Sequence, residues 1–421
     1  MTTTLAPQRR AAPTRKLLQG TDSTARQPRG VYVVSEPGCM NPAAGAYEHI
    51  QVGIRELSGH FELIAQVPEV LPSRSQQSGA SSSQSSAPSR WRRSAIFGAL
   101  RDTKELFENF RRAIRQLREV RKSKPDFCYI RAAFLDPLPL LLKWTKTCHV
   151  FIEANGLQFE TRAARFRSLL NPLHRVFEKA TYKRADHVFF VGSYGDYWKL
   201  RRPNWTNVEN GAEREFVDEF TDQRTLSSEQ VHVCIVACLT KHHEPWIVTE
   251  AFRQLPQQLR QRCLLHLIGS GFEQLKTDVD GIVEIIDHGF LDREQLSKTL
   301  KTMHIGLIPG CPEHQSQMKM LDYGAAKLLT IVPSTHNLRK WFRPSETLFF
   351  RPRDPASLAQ QLAQACESGD SDNRGESLHQ KIATDFTWDR IFDRKAATIL
   401  KQVHSKTSIH NQPAQQSPST T

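Results

Sequence analysis

An α/β fold built from two doubly wound parallel sheets is what this sequence predicts, and three observations predict it. Short apolar runs that read as buried strands alternate with stretches of helical periodicity from Gly30 to about residue 400. The alternation breaks between Asn204 and Gly211 and restarts at Val231, so two sheets are expected rather than one. The clearest single unit runs from Ile305 to Pro333. Ile305-Gly-Leu-Ile-Pro309 is apolar, Gly310 to Gln317 is a polar loop, and Met318, Leu321, Ala325 and Leu328 recur at helical spacing before the run Leu328 to Val332. Strand, loop, helix and strand in that order make a βαβ unit.

A chain of 421 residues is long enough for two domains. The eight cysteines show no CxxC pair and no Cys/His cluster, so they read as free thiols of a reducing compartment, and no zinc site is legible. The opening MTTTLAPQRR lacks the apolar core of a signal peptide, and no apolar run approaches the ~18 residues of a membrane span. A cytoplasmic protein is expected. Its net charge of +13 suits anionic membrane, nucleic acid or phosphorylated ligands and does not choose among them. No nucleic-acid module is recognisable, so nucleic acid is not an expected partner.

Taken in order, residues 1–28 are polar and basic and predict a disordered tail. Gly30 to Val34 begins a first domain, 29–205, as a strand. A loop containing Pro37, Gly38, Pro42 and Gly45 follows, then a helix from about Ala46 to Leu57 and a strand from Phe61 to Val67. Residues 73–90 are mostly Ser, Gln, Ala and Gly and read as a flexible insertion. A long basic helix, Ser94 to Lys122, is expected to bury the stripe Leu106, Phe110, Ile114, Leu117 and Val120, with Arg111, Arg112, Arg115, Arg118 and Arg121 opposite. Trp91, Arg92, Arg93, Ile96 and Phe97 ahead of those arginines suit an anionic membrane surface, although a solvated face is the simpler reading. Strands at Phe127 to Arg131, His149 to Ile152 and Ala185 to Val191, a helix at Leu138 to Trp144 and a helical region at Gln158 to Arg184 complete this half.

The second domain, 206–385, has strands at Val231 to Ala237, Leu264 to Ile268, Ile282 to Ile286, Ile305 to Ile308, Leu328 to Val332 and Leu348 to Phe350. Its helices are expected near Trp246 to Arg253, Gly271 to Thr277, Arg293 to Lys301 and Ala356 to Cys366. A closing helix occupies 386–404, and 405–421 is again a polar tail.

The ligand crevice of such a sheet lies beyond the carboxyl ends of its strands, where helix N-termini favour anions. Lys319 in the first turn of the 318–328 helix adds a cation for phosphate. Asp322, three residues on, offers a carboxylate for sugar or ribose hydroxyls. Phosphate and hydroxyls together suggest a nucleotide sugar; a surface ion pair is the alternative, and these two residues leave the readings level. Gly45 at a strand end lets backbone amides approach a phosphate. Glu153 and Asn155 end a strand of the first domain and read either as acceptor-binding groups or as a turn. Gly269 and Gly271 are too few for a dinucleotide fingerprint, and a lone His288 is more often structural than a ligand.

Nine short motifs in order make the chain resemble a GT-B glycosyltransferase of family 4, the glycosyl transferases group 1 type, over about Val31 to Leu400. They are Gly45-Ala-Tyr-Glu48, Lys124-Pro-Asp126, Tyr129-Ile-Arg131 with Glu153-Ala-Asn-Gly156, Ala185-Asp186 with Val191 to Ser193, Val208-Glu-Asn-Gly-Ala-Glu213 with Phe216, Gly269-Ser-Gly271, His288-Gly-Phe-Leu291, Ser316 with Lys319, Asp322 and Tyr323, and Phe386-Thr-Trp388. The resemblance implies two Rossmann-like domains facing across a cleft. It implies sugar transfer, with retention, from a nucleotide diphosphate-sugar to a hydroxyl of a glycan or lipid-linked acceptor, as in polysaccharide biosynthesis, with no metal or other cofactor. Lys319 and Asp322 would be its catalytic pair. Gly45, Lys241, His243, Gly269, Gly271, His288 and Ser316 would bind the donor, and Glu48, Glu153 and Asn155 the acceptor.

The departures fall at the donor. Where the family carries Gly-Arg-Leu and then a lysine, this chain has Ala237, Cys238 and Leu239 and then His243, with Lys241 two residues earlier; the first carboxylate of the family's Glu-x7-Glu pair falls at His314, beside Glu313. An unperturbed histidine titrates near 6.5, so diphosphate affinity is expected to fall as pH rises through about 6 to 8. Lost phosphate cations also keep a second reading in view, a catalytically weakened GT-B domain acting as a binding or scaffold subunit.

Overall fold

The computed structural model describes residues 26–35, 45–67, 95–165, 168–221, 229–368 and 373–410. The 37–44 part of the first loop, the insertion 73–90, Trp91, Arg92, Arg93 and most of both tails lie outside these residues. Two compact units divide the chain. One comprises Met1–Glu153, Gln158–Val188 and Phe392–Thr421, and the other Ala154–Leu157 and Phe189–Ile391.

Through the first half run β1 (Arg29–Val34), α1 (Gly45–Ser58), β2 (Glu62–Val67), α2 (Ala95–Ser123), β3 (Phe127–Arg131), α3 (Leu138–Trp144), β4 (His149–Ala154), α4 (Gln158–Arg165), α5 (Asn171–Arg184), β5 (His187–Val191), α6 (Tyr194–Trp198) and β6 (Trp205–Val208). The strands form one six-stranded parallel sheet in the order β2-β1-β3-β4-β5-β6. Every residue of β3 and β5 is buried, as the two covered faces of a parallel sheet demand. The expected Gln158 to Arg184 region is two helices, and α6 and β6 were not anticipated; both are too short for periodicity to register.

After α7 (Arg214–Asp218) come β7 (Val231–Cys238), a 3-10 turn at Lys241–His243, α8 (Trp246–Gln254), α9 (Gln257–Arg262), β8 (Cys263–Ser270), α10 (Glu273–Val279), β9 (Glu284–Gly289), α11 (Arg293–Leu300) and β10 (Ile305–Leu307). Then follow α12 (Met318–Ala325), β11 (Leu329–Pro333), α13 (His336–Trp341), β12 (Leu348–Phe350), α14 (Pro355–Ser368), α15 (Arg374–Asp385) and α16 (Trp388–His410). The second parallel sheet has the order β12-β11-β10-β7-β8-β9. Apolar clusters cover both of its faces. One is centred on Val233, Ile235, Leu265, Leu267, Val248 and Phe252, the other on Leu321, Tyr323, Leu328, Val332, Leu378 and Ile382. The seven cysteines among the described residues are free thiols.

Helix α2 departs from expectation. Its buried face is Asp102, Asn109, Ala113, Gln116, Leu117 and Val120, whereas Leu106 and Phe110 are exposed. Leu117 and Val120 of the expected stripe are buried, and polar groups on neighbouring elements account for the shift in the rest. Asp102 pairs with Arg162 of α4 at 3.1 Å, and Asn109 donates to the carbonyl oxygen of Phe134 at 2.9 Å. A stripe rule that counts only apolar residues misses a helix held by hydrogen bonds.

Candidate functional site

In the second sheet the strand order reverses at β7, which lies between β10 and β8. Open α/β sheets bind ligands beyond the carboxyl ends of strands at such a point. Three loops meet there. The chain leaving β8 passes so close to that leaving β7 that a Cβ on Gly269 would stand 2.0 Å from the carbonyl oxygen of Ala237; Gly269 also has φ +122°. A Cβ on Gly271 would meet the carbonyl oxygen of Leu239 at 2.6 Å. No other residue fits both conditions at 269. On the other side, Gly310 brings the loop after β10 against the backbone of His243. The glycines let β7, β8 and β10 deliver their loops to one place.

Helix α12 enters from this loop. Tyr323 pins it to the sheet: the backbone N–H of Val236 in β7 donates to its phenol oxygen at 2.8 Å, and the phenol donates to the carbonyl of Leu307 in β10 at 3.3 Å. One turn earlier stands Lys319. Its Nζ is buried and donates no hydrogen bond in the protein. Burial pulls its pKa down to about 8, opposed by the thiols of Cys311 and Cys238 nearby. A buried ammonium without a partner is costly unless an anion comes to it. The depression corresponds to roughly 3 kcal/mol, which a bound phosphate would offset.

His243 is close enough to Lys319 to feel its charge. Burial, then Lys319 and His242, lower its pKa to about 4. The backbone N–H of Thr240 donates to its Nδ1 at 2.9 Å, so Nδ1 is the bare nitrogen and the neutral ring carries its proton on Nε2. This corrects the expectation of a partly charged histidine titrating between pH 6 and 8. The unliganded ring is a neutral donor throughout that range. Lys241, in the same 3-10 turn, is exposed.

Asp322 is not open to solvent as a surface ion pair with Lys319. Its Oδ1 accepts from Arg293 of α11 at 2.7 Å, and the guanidinium lies 3.4 Å over the ring of Phe216. Burial raises the Asp322 pKa, and Arg293 opposes the rise. Sequence reasoning missed Arg293, which no spacing connects to Asp322. Ser316 is buried, and its Oγ accepts from Asn210 Nδ2 at 2.8 Å. Asn337 donates to Glu209 at 2.9 Å, and burial pushes the Glu209 carboxyl up to about 7. His314 faces Ser193 Oγ at 3.0 Å, and Glu313 accepts from the backbone N–H of His336 at 2.7 Å. The 310–317 loop is therefore tied down before any ligand arrives.

His288 stands elsewhere. Its Nε2 is 2.8 Å from His266 Nδ1, and His266 Nε2 is 2.9 Å from His232 Nδ1, with His304 stacked on His232. Its contacts are those of an imidazole row across β7, β8 and β9, not of the Lys319 group.

In the first unit Gly45 is the opening residue of α1, and Glu48 is exposed on that helix. Asn155 is half-buried just beyond β4. Glu153 differs from the cleft-facing group expected. It is buried, its Oε1 accepting from Arg131 at 3.1 Å and its Oε2 from Lys395 of α16 at 2.7 Å and from Tyr129. Burial alone would raise its pKa, but Lys395 and Arg131 hold the carboxyl far below the usual range. With both oxygens occupied, Glu153 fastens α16 to the sheet and is not placed to receive an acceptor. Among the described residues no group of three or more His, Cys, Asp or Glu is arranged to hold a metal ion.

Two parallel Rossmann-like sheets with this site between β7 and β10 define the GT-B class of glycosyltransferase fold. Residues 231–368 match the family model for glycosyl transferases group 1, and that segment is a domain of this family. Solved structures similar over nearly the whole chain agree on the fold. Sucrose-phosphate synthase from Thermosynechococcus elongatus is 15% identical, with TM-score 0.64, covering 90% of this chain and 100% of its own. HepE from Anabaena, solved in complex with UDP, is 10% identical with TM-score 0.59, covering 89% and 100%. The lipopolysaccharide outer core galactosyltransferase WaaB in its apo form is 11% identical with TM-score 0.59, covering 90% and 99%. No curated protein sequence matches the chain.

Proposed function

We propose that this protein is a family 4 glycosyltransferase that moves a sugar, with retention, from a nucleotide diphosphate-sugar to a hydroxyl of a glycan or lipid-linked acceptor in polysaccharide biosynthesis. The observation that carries the reading is the buried, unpartnered Lys319 Nζ at the start of α12, beside the loops that Gly269, Gly271 and Gly310 bring together. A diphosphate supplies the charge that this ammonium lacks. Lys319 then opposes the charge growing on the departing diphosphate, and the N-terminus of α12 adds its dipole. His243 donates through Nε2 as a neutral group, and Lys241 supplies an exposed cation from the same turn. Asp322, held by Arg293, orients the donor's ribose, and the Ser316 hydroxyl keeps its own proton for a phosphate oxygen. Glu48 and Asn155 remain the acceptor-side candidates. No metal or cofactor enters this scheme. The reading places the protein in the cytoplasm, peripheral to an anionic membrane surface.

Support also comes from HepE, a similar fold solved with UDP, and with UDP-glucose. Isothermal titration with nucleoside diphosphates tests the reading. Lys319→Ala should weaken binding tenfold or more, about 1.4 kcal/mol. Unchanged affinity in a folded variant removes Lys319 from the site.

One observation favours the second reading, a donor-binding scaffold with little transfer. His243 is neutral where the family resemblance implies a lysine, and Cys238 stands where it implies an arginine. Tight diphosphate binding without donor turnover over any acceptor class would select it.

A further inference from the structure

Apart from Trp144 at the end of α3, the large apolar side chains that the first unit leaves in solvent lie on α2 and on or just before α5. On α2, Ile96, Leu100 and Phe107 are 66%, 65% and 63% exposed; on or just before α5, Leu169, Leu173 and Val176 are 64%, 61% and 65% exposed. The two helices touch at this level, since His174 Nε2 of α5 is 3.4 Å from Asp102 Oδ2 of α2. Ile96, Leu100 and Phe107 lie within about 40° of one another around the helix axis, on the side away from Asp102, Asn109 and Ala113. Leu173 and Val176 likewise stand opposite the buried Glu178. Each apolar cluster occupies the first half of its helix, where Lys104 and Arg175 are also exposed, and further exposed cations fill the second half. On α2 these are Arg111, Arg115, Arg118, Arg121 and Lys122; on α5, Lys183 and Arg184. Exposed acids are fewer on α2, Glu108 and Glu119, and the only carboxylate within α5, Glu178, is buried.

We propose that α2 and α5 form one docking surface for an anionic lipid bilayer, the six apolar side chains entering the headgroup boundary and the arginines and lysines meeting lipid phosphates. Charge decides the occupant. A second copy of this chain would oppose like charge to like, whereas an anionic bilayer complements the cations and takes up apolar side chains at the same depth. Burying leucine- and phenylalanine-sized groups supplies the attachment, and the basic residues add a salt-sensitive attraction. No described helix is long and apolar enough to cross a membrane, so contact at the surface is the mode this geometry offers. The inference does not depend on the transfer chemistry.

Co-sedimentation of the full-length protein with phosphatidylcholine vesicles, with and without phosphatidylglycerol, tests it. Binding is expected only with the anionic lipid and should fall as salt is raised. The double variants Leu100→Ser/Phe107→Ser and Leu173→Ser/Val176→Ser should each weaken it by roughly tenfold, and Arg115→Glu/Arg118→Glu should weaken it at least as much. Because all six positions are on the surface, unchanged thermal melts are expected and separate lost docking from lost folding. Lys319→Ala should bind vesicles as the wild type does, so failure here and failure of the donor site are told apart. Equal binding to neutral vesicles, no binding to anionic ones, or a dimer in solution that the serine variants dissociate would each overturn the proposal.

Discussion

At the scale of single residues, the proposed donor site turns on two depressed bases. Lys319, with its pKa near 8, is protonated at neutral pH and loses its charge as pH rises through about 8. His243, near 4, stays neutral from pH 6 upward. Nucleoside diphosphate affinity should therefore hold level between pH 6.5 and 7.5 and decline above about 8, since the ligand's last phosphate ionisation, near 6, is then complete. A decline centred near 6.5 would instead return the titration to His243. His243→Lys restores a permanent cation and should tighten binding at pH 8. Titration calorimetry across this range distinguishes the outcomes. The place of Lys319 after a strand and loop was legible in the sequence. Its burial was not, because Cys238, Cys311 and His243 reach it from other segments.

At the scale of elements, α16 is held by a charge cluster that only folding assembles. Lys395 is buried 242 residues from its partner Glu153, with Arg131 on the carboxylate's other oxygen. Removing one member leaves the others charged and buried, which in comparable sites costs about 3–5 kcal/mol. Lys395→Met should lower the melting temperature by many degrees and leave Glu153 poorly compensated; Glu153→Gln combined with Lys395→Met should recover part of the loss. Circular dichroism melts of the two variants check this, and an additive double variant would argue against the coupling. The sequence placed Arg131 and Glu153 at the ends of adjacent strands, and the register of β3 on β4 brings them side by side. Nothing in it pointed to Lys395.

Over the whole molecule, neutral imidazoles are spread through both units. His49 and His187 in the first, and His243 and His266 in the second, are each lowered to about 4, chiefly by burial. In the unfolded chain they titrate near 6.5, so between about 6.5 and 4 the unfolded state binds more protons. Stability is then present above 6.5 and is lost as pH falls toward 4. Scanning calorimetry from pH 7.5 to 5 should show melting temperatures falling, less steeply than the four histidines alone would give, because Glu178 and Glu209, pushed up to about 7 by burial, take up protons in the folded state and oppose the loss. A flat profile down to pH 5 would contradict the buried neutral state.

The sequence by itself determined the strand–helix alternation, the two sheets and the βαβ unit that bears Lys319 and Asp322. These follow from apolar periodicity, which is local and survives in any order of reading. Where a helix is held by polar contacts, the same rule placed only part of the face: Leu117 and Val120 of α2 are buried as expected, Leu106 and Phe110 exposed. Tertiary structure decided what each candidate side chain meets. It gave Asp322 to Arg293, Glu153 to Lys395, and His288 to an imidazole row, and it turned Ile96, Leu100 and Phe107 of α2 and Leu173 and Val176 of α5 outward. Ion pairs, buried charges and exposed patches depend on which distant segments meet, and strand order, not spacing along the chain, sets those meetings.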